Sequence, residues 1–269
     1  MNGMSSLRRA LVAFPVNAVL LLATDSAAAE TGQVTKPGDA TVAAARLMPY
    51  DNAFVIRRTF KDGHVDSPGI WTDHLRVREV GGRMAFVRSQ SLTYDDGTSL
   101  VSVNVFDAVT LAPISNFQRT SSGRIEKWTI DGTHVEGHLT SGKPGDIEEI
   151  KKFDTVVPAF DFNCCMRSLI PAALPLRLGY SVTLPAIPMT SDDPATTVTY
   201  NVVGRERIPV RARGPLTAWI VETVQHSVQF GDVGIRFWIV DKAPFVLRMT
   251  LSAGTTGKLD YSRSFDLLN

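Results

Sequence analysis

The chain has 269 residues, 44% of them hydrophobic and 20% charged, with 28 basic against 27 acidic side chains and a formal net charge of +1. Near-neutrality excludes the basic stripe that a dedicated nucleic-acid binder sets against phosphates, and the polybasic patch of a membrane-surface protein. With only two cysteines in a chain long enough to bury a sizeable core, a small disulfide-stapled scaffold is excluded as well.

In chain order, residues 1–29 read as a signal peptide. Arg8 and Arg9 precede an apolar run from Ala10 to Ala23, broken by Pro15 and Asn17, and Ala27, Ala28 and Ala29 supply the small residues that a signal peptidase requires. The apolar run is shorter than a bilayer span needs, and polar Asp25 and Ser26 follow it. An N-terminal membrane anchor is the rival reading. Cleavage predicts a periplasmic or secreted protein, not integral to the membrane. It would remove Arg8, Arg9 and Asp25 and leave no net charge. Residues 30–46, small, polar and bearing Pro37 and Gly38, predict a flexible leader.

From Leu47 the chain becomes a series of short runs rich in β-branched and aromatic residues, cut by turn signals. "AFVIRRTF" ends at Lys61-Asp62-Gly63, "DHLRVREV" at Gly81-Gly82, and "RMAFVRSQSLTY" at Asp95-Asp96-Gly97. "SLVSVNVFD" alternates cleanly, with Leu100, Ser102, Asn104 and Phe106 on one face and Val101, Val103 and Val105 on the other. "GRIEKWTID" and "THVEGHLT" complete a first meander. The last third repeats the habit from "TTVTYNVVG" to "KLDYSRSF". Asp-Gly and Gly-Gly punctuation at these spacings predicts antiparallel hairpins. A single helical segment is predicted near 160–175, capped by Asp161, running through Met166 to Leu169 and stopped by Pro171 and Pro175. The expected fold is mainly β: one curved antiparallel sheet over residues 47–269, a half-open barrel or β-roll, with one or two short helices joining two hairpin-rich halves.

Chemistry-bearing motifs are sparse. On a strand His134, Glu136 and His138 share one face, a donor set that zinc or ferrous iron accepts, and Gly137 allows the twist their convergence would need. A solvent-facing sheet surface reads the same way. No nucleophile elbow, phosphate-cradling loop or catalytic base stands out, so no catalytic residue is assigned. Cys164 and Cys165 are adjacent, closer than a relaxed disulfide prefers. They read as packed core thiols, as a strained vicinal disulfide, or as reactive or metal-binding groups. Trp219 and Trp238 lie in alternating strands and read either as sheet core or as the wall of a ligand site.

"FDFNCCMRSLIPAALPLRLGYSVTLPAI", "YNVVGRERIPV", "GPLTAWIVE" and "FWIVDKAPFVLRM" resemble, in content and order, an exported bacterial family known only as a domain of unknown function. Its members look like relatives of the LolA/LolB type of lipoprotein carrier. The matching positions are Arg167, Leu174, Pro175, Leu176, Gly179, Gly204, Glu206, Gly214, Trp219, Trp238 and Pro244, with "IPAA" inserted after Leu169 as a departure. The resemblance implies a curved sheet covered by short helices and brings no catalytic residue with it. It leads to one expectation: a non-catalytic envelope protein that binds an apolar or amphipathic ligand (a lipid or acyl chain), or an envelope partner, in the concavity of its sheet. Arg167, Trp219 and Trp238 are the candidate ligand contacts. The alternatives are a metal-dependent hydrolase built on His134, Glu136 and His138, with that metal its one cofactor, and a structural envelope protein without ligand.

Overall fold

The computed structural model describes residues 39, 42–66, 68–141, 149–156, 168–186, 196–211, 213–227, 231–252 and 261–268. The expected signal peptide, most of the leader, Cys164, Cys165 and Arg167 lie outside them. A 3-10 turn at Ala44–Arg46 leads into β1 (Tyr50–Phe60), β2 (Gly69–Val80), β3 (Arg83–Thr93), β4 (Ser99–Asp107), β5 (Pro113–Thr120), β6 (Ile125–Asp131), β7 (His134–Ser141) and β8 (Glu149–Val156). Helix α1 (Ile170–Ala173) separates these from β9 (Ser181–Ala186), β10 (Thr196–Val210), β11 (Gly214–Ser227), β12 (Gly231–Ile239), β13 (Val246–Leu251) and β14 (Tyr261–Leu267).

All 14 strands form one open antiparallel sheet, in the order β8-β7-β6-β5-β4-β3-β2-β1-β14-β13-β12-β11-β10-β9. The first and last strands meet in its middle, Phe54 pairing with Leu267 and Phe60 with Tyr261. The two edges are therefore β8 and β9, and α1 lies on the connection between them. Tight turns set the registers. Gly81 and Gly82 both have positive φ (58° and 77°) between the paired residues Val80 and Arg83. That is the two-residue turn whose twist matches the flanking strands, and glycine takes both positions without steric cost.

One face of the sheet is buried almost throughout. On β1 Tyr50, Asn52, Phe54 and Ile56 are inside, alternating with Asp51, Ala53, Val55 and Arg57. The described helical segments are only three and four residues long, far too little to cover 14 strands. The sheet must cover its own inner face by curling, as the sequence predicts.

Of the expected helical segment, Asp161 and Met166 lie outside the described residues, and its described end differs from expectation at Pro171. Pro171 lies in the first turn of α1, where its fixed φ suits the helix and its missing N–H has no partner to lose. It opens the helix instead of stopping it. All four residues of α1 and Leu174 after it are buried. The end of the expected leader is also packed, with Val42 and Ala44 buried and the Ala43 N–H donating to the Ala173 carbonyl at 2.9 Å. Arg46 donates to the Leu174 carbonyl and reaches Asp241 at 3.3 Å. The turn and α1 thus form one pinned unit against the roll.

Candidate functional site: a buried polar belt on the concave face

The two halves of the inner face differ in chemistry. On β11–β14 it is largely apolar, built from Val221, Ile235, Phe237 and Phe265, with Met249 partly buried against them. On β2–β6 buried polar side chains are set among apolar ones, which include Leu75, Phe86, Leu92, Phe106, Trp128 and Ile130. The alternation of β4 is as the sequence shows, but the sheet buries its polar side: Ser102 and Asn104 lie inside, while Val101 faces out, 46% exposed. A strand that only needed a core would present its valines inward.

Cross-strand registers join these polar side chains into two rows. Arg88 pairs with Asn104, Asn104 with Asn116, and Asn116 with Trp128. One step along, Gln90 pairs with Ser102, Ser102 with Gln118, and Gln118 with Glu126. The belt spans four strands, about 14 Å at the usual strand spacing.

Its anchor lies at β2–β3. Arg88, 1% exposed, donates from Nε to Asp73 Oδ1 at 2.8 Å, from Nη2 to Asp73 Oδ2, and from Nη2 to the Ser168 hydroxyl at 2.7 Å. The Tyr50 hydroxyl donates to Asp73 Oδ2 at 3.1 Å. Burial pushes the Tyr50 hydroxyl well above its usual pKa, and the nearby Asp73 carboxylate adds to this against the opposing pull of Arg88. Tyr50 therefore stays protonated and acts as a donor. Ser168 lies two residues before α1, so this cluster fixes the inter-edge connection against β3. A cavity of about 20 Å3 lies among Trp71, Asp73, Arg88, Ser168 and Phe265, room for a single water.

The remainder of the belt is under-satisfied. Ser102 donates to Gln90 Oε1 at 3.3 Å, and Arg124 donates to Glu126 Oε1. Gln90 Nε2, both amide atoms of Asn104, Asn116 Oδ1 and Glu126 Oε2 are buried without a hydrogen-bond partner. Thr223 and Gln225 on the inner side of β11 carry further unpartnered polar atoms. Native interiors pair the great majority of such groups, so this concentration marks a place built to meet something polar.

The sequence-derived candidates fall elsewhere. His134 and Glu136 meet on the outer side of β7, Nε2 to Oε1 at 3.1 Å, and both are exposed. Among the described residues no three His, Cys, Asp or Glu side chains come together as a metal-binding group, so the strand does not gather His134, Glu136 and His138 around one point. Gly137 serves packing: a Cβ there would stand 2.5 Å from the Lys127 carbonyl oxygen and 3.2 Å from Trp128 Cα. Trp219 and Trp238 cannot form one wall. Trp219 pairs with Ile239 and Ile220 with Trp238, and successive residues face opposite ways. Trp219 is on the inner side, its indole under the Arg205 guanidinium at 4.0 Å. Trp238 faces the opposite way and is buried, 6% exposed, donating to Glu206 at 2.7 Å with Arg248 and Arg236 over its ring. A groove of about 440 Å3 also runs over the outer surface beside the Glu222–Arg236 pair, bordered by Thr59, Ser252, Ser262 and Ser264.

The chain belongs to a family described as protein of unknown function (DUF3108), whose family model matches residues 75–260. No curated protein and no solved structure shows a significant match. The matched span takes in Arg88, Asn104, Asn116, Glu126 and Ser168 and leaves out Tyr50, Asp73 and β14.

Proposed function

We propose that the protein is exported to the periplasm or beyond and binds an amphipathic ligand on the concave face of its sheet, without catalysing a reaction. The observation that carries this reading is a buried inner face that is largely apolar on β12–β14 and carries, on β3–β6, a belt of unmet polar groups set among apolar side chains. An amphiphile has the same division. The sequence resemblance to lipoprotein carriers of the LolA/LolB type, in which a curved sheet shelters an acyl chain, supports the reading, as does the signal-like start of the chain. The pinned α1 unit adjoins that face at Arg88, held by Ser168–Arg88 and Ala43–Ala173.

The test is to purify the full chain from its own cell envelope under mild conditions, then combine native mass spectrometry with solvent extraction. A stoichiometric amphiphile is expected. A protein that emerges without adduct, and binds no added amphiphile by calorimetry, overturns the reading.

A further inference from the structure

Resting on the reading just given, we infer that the belt on β3–β6 is the seat of an uncharged, hydroxyl-rich head group, of the kind a glycolipid carries, and not of a phosphate. The first reason is electrostatic. Both cations of the region are already matched, Arg88 by Asp73 and Arg124 by Glu126, so the belt offers no net positive charge. A buried anion would bring an uncompensated charge into a dry site.

The second reason is the inventory of unmet groups. Asn104 Oδ1, Asn116 Oδ1 and Glu126 Oε2 are acceptors, matched in number by Gln90 Nε2, Asn104 Nδ2 and Arg124 Nε as donors. A phosphate ester ionised at neutral pH offers almost only acceptors and would leave the three oxygens unmet. A row of hydroxyls offers both roles at each position. Asn104 is the centre of the seat: it is fully buried, neither of its amide atoms has a partner, and its row neighbours are Arg88 and Asn116. Occupation requires the roll to part, and the unpaired edges β8 and β9 are where an unclosed sheet can do so.

Unmet polar groups kept for binding predict an inverse relation between stability and binding. Leucine at Asn104 keeps the same branched skeleton, with two bulkier methyl groups, and removes two unmet polar atoms, a change that is neutral or stabilising where the added bulk is accommodated. The experiment compares the full chain with Asn104→Leu, using n-dodecyl-β-D-maltoside and dodecyl phosphate, both below their micellar concentrations, followed by calorimetry and thermal unfolding. The expected result is at least tenfold tighter binding of the maltoside than of the phosphate. Asn104→Leu should weaken the maltoside about tenfold, the loss of one or two hydrogen bonds, with an unliganded Tm equal to or above wild type. Equal binding of the two amphiphiles, unchanged in Asn104→Leu, overturns the seat and leaves the concave-face reading standing. Binding of neither overturns both. A lowered unliganded Tm shared by Asn104→Leu and the closely size-matched Gln90→Met shows that the amides are structural and also overturns the seat. Should Asn104→Leu fail to fold, Gln90→Met and Asn116→Leu carry the same comparison.

Discussion

Arg88 and Asp73 face each other diagonally across β2 and β3, Arg88 standing opposite Leu75 and Asp73 opposite Gln90, and both are nearly dry. Their paired Nε–Oδ1 and Nη2–Oδ2 hydrogen bonds put a charge pair where the alternation of β3 otherwise supplies Phe86 and Leu92. Removing one member of such a pair leaves the other charge buried and unmatched. Asp73→Ala and Arg88→Met should each lose about 3–5 kcal/mol of unfolding free energy in urea titrations. The Asp73→Ala, Arg88→Met double variant should lose distinctly less than the sum of the single losses. Additive losses would show that the pair is not coupled.

Ser168 tests whether the connection before α1 is held by the same cluster. Ser168→Ala deletes the hydroxyl that accepts from Arg88 and should cost about 1–2 kcal/mol, a hydrogen bond to a charged group. Amide exchange at Ala172 and Leu174 should accelerate more than exchange in β3. A uniform acceleration across the chain would mean that the segment has no separate opening.

Gly137 probes the contact between β6 and β7. Its added Cβ would meet main-chain atoms of Lys127 and Trp128, which cannot swing aside like a side chain. Gly137→Ala should lower stability by about 1–3 kcal/mol, the usual cost of overpacking. His134→Ala on the neighbouring outer surface should change it by less than about 0.5 kcal/mol, and a chelator should leave the Tm of both proteins unmoved. A chelator-dependent Tm in wild type that vanishes in His134→Ala would restore the metal-binding expectation for His134, Glu136 and His138.

Asp107 gives a pH dependence with a definite sign. Partial burial would raise its carboxyl, but the N–H groups of Thr110 and Val109 and the Thr110 hydroxyl all donate to it and hold it below the usual carboxylate range. A carboxyl lowered in the folded state contributes stability above its unfolded pKa of about 3.9 and loses it as the pH falls toward the folded value. Asp107→Asn should therefore be less stable than wild type at pH 7, with the gap narrowing below pH 4. A gap that is constant from pH 7 to pH 3 would remove Asp107 from the acid response.

How far the sequence reveals this arrangement follows from what each signal encodes. Turn chemistry is local, so Gly81-Gly82 and the period of two in "SLVSVNVFD" place the hairpins. The same period is silent on which face is buried, because both sides of β4 alternate equally well. Only the curl of the sheet decides that Ser102 and Asn104 go inside. The Arg88–Asp73 pair joins residues that look like ordinary charged strand positions, and no spacing rule links them to Ser168, 80 positions away. His134, Glu136 and His138 attract notice because alternation puts them side by side, yet alternation also puts them on the wet side of β7. Trp219 and Trp238 were legible as strand aromatics. Their separation onto opposite faces follows from register, which is fixed by pairing and not by composition.

The pairing of β1 with β14 has a consequence for biogenesis. A chain synthesised or translocated from its N-terminus presents β1 through β8 as a meander whose β1 edge stays open, with the apolar side chains of Phe54 and Ile56 beside it, until β14 emerges. The two wings are joined only at that last step, so the sheet cannot be completed from either half. During transit the bare β1 edge is a template for wrong strand partners, and a chain interrupted before Tyr261 would carry that exposed edge permanently. Escort by a holding chaperone would matter most in the interval between release of β1 and arrival of β14.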